Sequence, residues 1–325
     1  MSFTYLSPGK PSVASAQPEW QLRLEKWRRL LAQCARKPSR KCIHDLRSFT
    51  LRLRVALQHE LLEQSADSSA SHAFQRWNKE GKKLRRMLEP VRNADVYLTL
   101  LGGLRKRVGG ASDGDTQPTP RCLREINKLE NRLKWRRQAG IDKLTDSIEA
   151  RRKRLNRLSN EMEEALTPHL NTKKSSTTWA ALGIIEELAK EFPSLNSANL
   201  HEFRKRLKQS LYLAEISAAT DPLAQRLAVA FKKVHRATGE WHDWQSLAQE
   251  ASRVLPDRGR VDGLLPLLDA RAEKALHHAL DQCCRSAPRN LLNVAEGQPL
   301  PPRKPVAADH GSRFENNYRK VGISR

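Results

Sequence analysis

The sequence of 325 residues carries 59 lysines and arginines against 36 aspartates and glutamates, which gives a formal net charge of +23. This excess of cations predicts a polyanionic partner, or at least a surface that attracts one. No run approaches the roughly 18 apolar residues of a membrane span, and MSFTYLSPGKPSVASAQP lacks the apolar segment of a signal peptide. The five cysteines are odd in number and lack CxxC spacing, so they predict reduced thiols in a cytoplasmic protein.

Most of the charge lies in the part of the chain that has helical periodicity. Residues 1–17 carry one cation, and residues 289–325 carry a net charge of +4, which leaves +18 for the interior. The charge therefore predicts a folded anion-binding surface, since a basic tail alone does not account for it.

The first part of the chain predicts four helices. Periodicity begins near Glu19, after a Pro/Ser/Ala-rich lead (1–17) that we expect to be disordered, and the first helix ends at KPSRK. A second helix runs from about Ser39 to Gln64. Pro90 divides the following pattern into two helices, AFQRWNKEGKKLRRML and VRNADVYLTLLGGLRKRV, before a flexible loop.

The rest of the chain is also helical in pattern. Segment 121–166 consists almost entirely of helix-forming residues, so it predicts one long helix, or two helices with a kink at Gly140. Breakers such as Pro193, Pro222 and Gly239 then separate five further helices, and the Pro-rich tail (289–325) is expected to be disordered. Because runs with strand-like alternation are scarce, the sequence predicts an all-α chain of about ten helices.

Two helices half a chain apart carry the same kind of basic stripe. Residues 44–54 read HDLRSFTLRLR, and residues 201–212 read HEFRKRLKQSLY. At 100° per residue, each helix places its leading histidine and the following cations within a narrow arc. The stripe residues are His44, Arg47 and Arg54 in the first helix, and His201, Arg204, Lys205 and Lys208 in the second. A single stripe is typical of a solvated face, whereas its repetition favours a shared function.

The helices next in line correspond as well. KKLRRMLEPVRNADVYL (82–98) and FKKVHRATGEWHDWQSL (231–247) each place a cationic run before a breaker and a polar-acidic group after it. The offset between His44 and His201 is about 157 residues, which is too large for a solenoid repeat. The chain therefore looks like a tandem of two helical units.

Taken in order, these four segments resemble the signatures of the CHAD domain, the conserved histidine α-helical domain. The two stripes resemble H-x-x-R-V-x-x-R-R-L-R-x-x-L and L-H-E-x-R-K-x-x-K-x-x-x-Y. The other two segments resemble L-x-x-V-R-D-x-D-V and L-K-x-L-Q-D-x-L-G-x-x-H-D. The resemblance extends from about Glu19 to Cys284.

The resemblance implies two pseudo-symmetric helical bundles that form one domain at 18–288, with halves at about 18–110 and 177–288 and a basic helical segment at 121–167. It also implies a central cleft that binds inorganic polyphosphate, in a cytoplasmic protein associated with polyphosphate granules. Because the sequence lacks a phosphate-cradling Gly-rich loop, we predict binding without catalysis, cofactor or metal. Carried over residue by residue, the polyphosphate contacts are His44, Arg47, Arg54, Lys83, Arg86, Arg92, His201, Arg204, Lys205, Lys208, Lys232 and His242.

Some positions depart from the family pattern. Leu51 stands where the family usually has Arg, Asn93 where it has Asp, and His235–Arg236 where it has Gln-Asp. We therefore expect a weaker site in the first half, although Arg52 lies one residue from Leu51. The leading histidines either contact phosphate or orient the neighbouring arginine.

Two other kinds of function stay open. A nonspecific nucleic-acid-binding protein explains the charge, and bases would stack on some of the seven tryptophans, but no known nucleic-acid-binding motif is present. A metal-dependent phosphohydrolase is suggested by two His-Asp pairs, His44–Asp45 and His242–Asp243. However, neighbouring residues on a helix point 100° apart, and a second set of metal ligands is missing. A phosphoryl-transfer enzyme is disfavoured because GxxxxGK[ST] is absent.

Overall fold

The computed structural model describes residues 18–63, 68–109, 119–167, 176–255 and 263–285. Within these ranges the regular secondary structure is helical, which confirms the predicted all-α class. The eight described helices are α1 (Glu19–Arg36), α2 (Arg40–Glu63), α3 (Ser68–Gly109), α4 (Pro120–Leu166), α5 (Thr177–Glu191), α6 (Leu200–Ser217), α7 (Pro222–Val254) and α8 (Leu264–Arg285). The lead (1–17) and the tail (289–325), for which we predicted disorder, lie outside the described residues.

Two predicted helix breaks are wrong, and this explains why eight helices are described where about ten were expected. Pro90 lies inside α3, and Gly239 lies inside α7. Within a helix a proline costs about 3 kcal/mol and a glycine about 1 kcal/mol. Buried neighbours offset these costs, because Val91 beside Pro90 and Trp241 beside Gly239 are both packed in the interior.

Side-chain caps fix the starts of two long helices. Thr119 precedes α4, and its Oγ1 accepts a hydrogen bond from the backbone N–H of Cys122 at 3.1 Å. Asp221 precedes α7, and its Oδ1 accepts from the N–H of Leu223 at 2.8 Å. Each cap is followed by a proline at the first helical position, where the missing N–H removes no helical hydrogen bond.

The helices enclose two clusters of buried apolar side chains. The first cluster combines α1 and α2 with the N-terminal half of α3 and the C-terminal half of α4, and at its centre the rings of Trp27 and Trp77 pack edge to face at 5.4 Å. The second cluster lies mainly among α5 to α8, together with the other halves of α3 and α4. The two longest helices therefore run through both clusters. The pseudo-twofold relation between the halves stays a prediction.

α4 is a single helix through Gly140, so the first of the two alternatives left open by the sequence is confirmed. α3 and α4 come close together at this glycine. A Cβ atom at Gly140 would lie 2.8 Å from Cγ2 of Val91 and 3.9 Å from Cβ of Pro90. The glycine is therefore required by the close approach of the two helices.

Gly140→Ala is expected to lower the free energy of unfolding by about 1 to 3 kcal/mol, because the added methyl group forces α3 and α4 apart. Urea unfolding followed by circular dichroism measures the change. Gly183→Ala on α5 is the matched control, because nothing lies within 4 Å of its Cβ position and alanine favours the helix. A Gly140→Ala protein as stable as Gly183→Ala would contradict this packing.

The five cysteines are all free thiols, and four of them are buried. In the described part of the chain, no helix combines the length and the apolar character that crossing a bilayer requires.

Candidate anion-binding site

Basic side chains of α2 reach the helices packed against it. Arg47 donates from Nη2 to Oε1 of Glu89 on α3 at 3.2 Å. Arg54, two turns later, donates to Oε1 of Gln58 at 3.3 Å. Arg47 and Arg54 of the first predicted stripe are therefore half-buried, whereas His44 at its start lies more exposed.

Leu51 and Arg52 show what the departure from the family pattern does. Leu51 packs against the second apolar cluster. Arg52 donates from Nε to Oε2 of Glu215 on α6 at 2.7 Å, and its guanidinium lies over the ring of Tyr212, 4.7 Å from the centroid. Arg52 thus joins α2 to α6 and is itself paired with a carboxylate.

Arg85 and Arg92 lie on one face of α3, seven residues or about two turns apart. Arg92 makes a bidentate pair with Asp243 on α7, with Nη1–Oδ1 and Nη2–Oδ2 distances of 3.0 and 3.2 Å. Burial lowers the pKa of Arg85 to about 10, and the charges of Arg54 and Arg47 contribute. Arg85 therefore faces the same group of cations, although it was not among the predicted contacts.

α6 presents Arg204, Lys208 and Tyr212 inward at four-residue intervals. Arg204 is only 8% exposed, and burial lowers its pKa. Burial also lowers the pKa of Lys208 to about 7, and the charges of Arg204, Arg47 and Arg92 lower it further against the opposing effect of Asp243. Lys208 therefore changes its charge near neutral pH in the free protein.

α7 supplies two histidines and a glycine to the same place. The ring of His242 lies 4.9 Å from that of His201 on α6. A Cβ at Gly239 would lie 3.6 Å from Nη2 of Arg204, which is ordinary van der Waals contact, so the guanidinium lies directly against this part of α7. His235, seven residues before His242, is also half-buried, although the sequence marks it only as a departure from the family pattern.

We call this set of side chains the basic cluster. Its members are Arg47, Arg52, Arg54, Arg85, Arg92, Arg204 and Lys208, with the histidines His44, His201, His235 and His242. Three of its arginines are paired with Glu89, Glu215 and Asp243. Among the described residues, no carboxylate lies within salt-bridge distance of the other four cations, which are Arg54, Arg85, Arg204 and Lys208. The cluster therefore holds more positive charge than its own acids neutralise.

The basic cluster lies where the two apolar clusters meet. The Arg52–Glu215 pair joins α2 to α6, and the Arg92–Asp243 pair joins α3 to α7. A ligand in the basic cluster would therefore contact both parts of the chain.

The four histidines are uncharged in the free protein at neutral pH. Burial lowers the pKa of His235 to about 3 and that of His242 to about 4, and nearby cations act in the same direction. Burial likewise lowers the pKa of His44 and of His201 from the ordinary value of 6.5. Each neutral imidazole can donate one hydrogen bond and accept another, so these residues provide polar contacts without adding charge.

Several buried nitrogen atoms of the cluster have no hydrogen-bond partner. They are Nε of Arg47, Arg54 and Arg204, and Nε2 of His235. An unpaired buried polar group costs about 1–3 kcal/mol. An anion in the cluster would supply acceptor oxygens and offset part of this cost.

Four residues predicted to contact the ligand are exposed and lie outside the basic cluster. They are Lys83, Arg86, Lys205 and Lys232. Nζ of Lys83 donates to Glu80 one turn earlier at 2.8 Å, and Nζ of Lys205 donates to Glu202 at 2.7 Å. The structure does not bring these four together with the half-buried cations, so they remain candidates only for outer contacts.

The described residues form no group of three or more His, Cys, Asp or Glu side chains that could hold a metal ion. His242 and Asp243 also diverge, because His242 contacts His201 while Asp243 pairs with Arg92. Within the described ranges, the arrangement offers anion binding and no metal centre.

Comparison with known proteins identified the family. The model of a protein family described as CHAD domain matches residues 19–252, which is more than half of the chain. No curated protein and no solved structure matches the chain significantly.

Proposed function

The chain belongs to the CHAD domain family, and on that premise we propose that it binds inorganic polyphosphate through the basic cluster. One observation carries the proposal: four cations without carboxylate partners, Arg54, Arg85, Arg204 and Lys208, gather at the junction of α2, α3 and α6. Association with polyphosphate granules in the cytoplasm is part of the same proposal.

Polyphosphate suits the basic cluster because it is thin and densely charged. Each phosphate carries about one negative charge, and its oxygens fit both the arginine fork and the lysine point charge. Burial lowers the pKa of Lys208, and the charges of the neighbouring arginines lower it further, so the cations of the cluster repel one another in the free protein. Bound phosphate would relieve this repulsion and supply acceptors for the unpaired Nε atoms.

The binding is proposed to be non-catalytic. Phosphoryl transfer usually needs carboxylates that hold Mg²⁺ against the phosphates. The carboxylates of Glu89, Glu215 and Asp243 instead form ion pairs with arginines. The basic cluster is therefore suited to holding a polyanion, and not to activating it through a metal.

Long-chain polyphosphate is expected to displace double-stranded DNA of equal total charge from this protein, because a thin chain can reach half-buried side chains and a duplex cannot. Fluorescence anisotropy of labelled DNA, titrated with each unlabelled polyanion, measures the preference. The Arg204→Met/Lys208→Met protein is expected to lose it. Equal competition by the two polyanions on the wild-type protein would contradict the proposal.

A further inference from the structure

The outer face of α4 carries a second basic surface, which we call the α4 stripe. It consists of Arg124, Lys128, Arg132 and Trp135. At 100° and 1.5 Å per residue, these side chains lie within an arc of about 80° and along about 16 Å of the helix. All four residues are exposed, and Trp135 is 66% exposed.

The α4 stripe is separate from the basic cluster. Ile126 and Leu133 on the opposite side of α4 are buried in the second apolar cluster, so the stripe faces away from the packed interior. α4 contributes no member of the basic cluster. Among the described residues, no carboxylate lies within salt-bridge distance of the three cations of the stripe, although acidic residues elsewhere on α4 form ion pairs.

An exposed tryptophan among cations offers two kinds of contact. The guanidinium of Arg132 lies 5.8 Å from the ring centroid of Trp135, which leaves much of the ring open to solvent. Beside them is a cavity of about 450 Å³ lined by Lys128, Arg132, Arg253 and Val254, so the end of α7 adds a further cation. A flat ring and a row of cations fit a ligand that has both planar groups and phosphates.

We infer that the α4 stripe binds single-stranded nucleic acid, with a base stacked on Trp135 and backbone phosphates on Arg124, Lys128 and Arg132. Stacking on an aromatic ring beside a cationic track is the usual way in which proteins hold single strands without reading their sequence. Polyphosphate has no ring to stack, and a duplex keeps its bases stacked inside. The inference does not depend on polyphosphate binding at the basic cluster.

Trp135→Ala is expected to weaken binding of a fluorescein-labelled 12-nucleotide oligodeoxyadenylate by about tenfold, because one stacked base is lost. Trp179→Ala on α5 is the matched control: Trp179 is 69% exposed, but its helix carries only one cation, Lys190. The control is expected to bind like the wild-type protein. An abasic oligomer with the same number of phosphates should bind the wild-type and Trp135→Ala proteins alike.

Further variants test separately the roles of the ring and of the cations in the α4 stripe. Trp135→Phe, which retains a ring, should leave oligodeoxyadenylate binding near the wild-type level. Arg132→Ala should weaken binding of the oligodeoxyadenylate and of the abasic oligomer, and it serves as a second test if Trp135→Ala disturbs the circular dichroism spectrum. Equal affinities of Trp135→Ala and Trp179→Ala for the oligodeoxyadenylate would overturn the inference.

Discussion

Arg204→Met is expected to weaken polyphosphate binding between about tenfold and a hundredfold. A hydrogen bond to a charged group contributes about 1.5–3 kcal/mol, and Arg204 is the most buried cation of the basic cluster at 8% exposure. Methionine keeps much of the side-chain volume and removes the charge. Isothermal titration calorimetry with polyphosphate of defined length measures the change in affinity.

Arg206→Met is the matched control for this experiment. Arg206 lies two residues further along α6 but is paired with Glu187 and Glu191 on α5, outside the basic cluster. It is therefore expected to leave polyphosphate binding within about twofold of the wild-type value, since surface pairs contribute little.

Stability separates a binding role of Arg204 from a structural one. Replacing a buried cation among other cations by an apolar side chain should not lower the free energy of unfolding of the free protein. A binding residue therefore loses affinity without loss of stability. An Arg204→Met protein that unfolds more easily but binds polyphosphate normally would contradict the assignment.

The residues of the basic cluster could be predicted from the sequence only where they lie on one predicted helix, because only then is the angle between their side chains fixed. The histidine-led stripes lie within single helices, so the shared faces of most of their cations followed from the sequence, although Lys205 is exposed. Arg85 was missed because a break expected at Pro90 removed any fixed angle between Arg85 and Arg92. Since α3 continues through Pro90, the seven-residue spacing puts both arginines on one face.

The same reason explains why His235 was missed. With a break expected at Gly239, His235 and His242 belonged to different helices and had no defined relation. In the continuous α7 they also lie seven residues apart, on the face that meets α6. A search for polar residues seven positions apart across a single Pro or Gly would have identified both Arg85 and His235.

Matching to family motifs selected some residues that lie elsewhere. Lys83 is two residues from Arg85, about 160° away around α3, and its ammonium pairs with the buried Glu80. The pair with Glu80 joins residues three apart on one helix and could be expected from the sequence, whereas the pairs of Glu80 with Arg151 and Arg154 on α4 could not. Such tertiary ion pairs decide which cations of a basic helix are left without partners.

Burial changed the expected roles of the titrating groups. From the sequence, the histidines were the groups expected to respond to pH near neutrality. In the structure the pKa of His44 and of His201 lies below 6.5, whereas the pKa of Lys208 is lowered to about 7. The lysine is therefore the group of the basic cluster that changes charge near neutral pH in the free protein.

Polyphosphate affinity is accordingly expected to fall about tenfold for each pH unit between pH 7 and 9. Lys208 is surrounded by Arg204 on its own helix, Arg47 on α2, Arg92 on α3, and Asp243 and His235 on α7. A phosphate beside the ammonium should raise the pKa of Lys208 towards its ordinary value of 10.5, so binding takes up one proton above pH 7. Titrations at pH 7, 8 and 9 at constant ionic strength measure this slope. A histidine-driven response would instead appear below about pH 6.5.

The stability of the free protein should change with pH in the opposite sense. Between about pH 7 and 10.5 the unfolded chain binds the Lys208 proton and the native chain does not, so raising the pH favours the native state by on the order of 1 kcal/mol per unit.

Lys208→Met is expected to flatten both pH dependences, whereas Lys205→Met, which removes an exposed lysine paired with Glu202, should preserve both. Urea unfolding without phosphate in the buffer, at the same three pH values, completes the comparison. If Lys208→Met kept the wild-type slope of affinity against pH, another group would be taking up the proton, and Lys208 would not be the residue that couples protonation to polyphosphate binding.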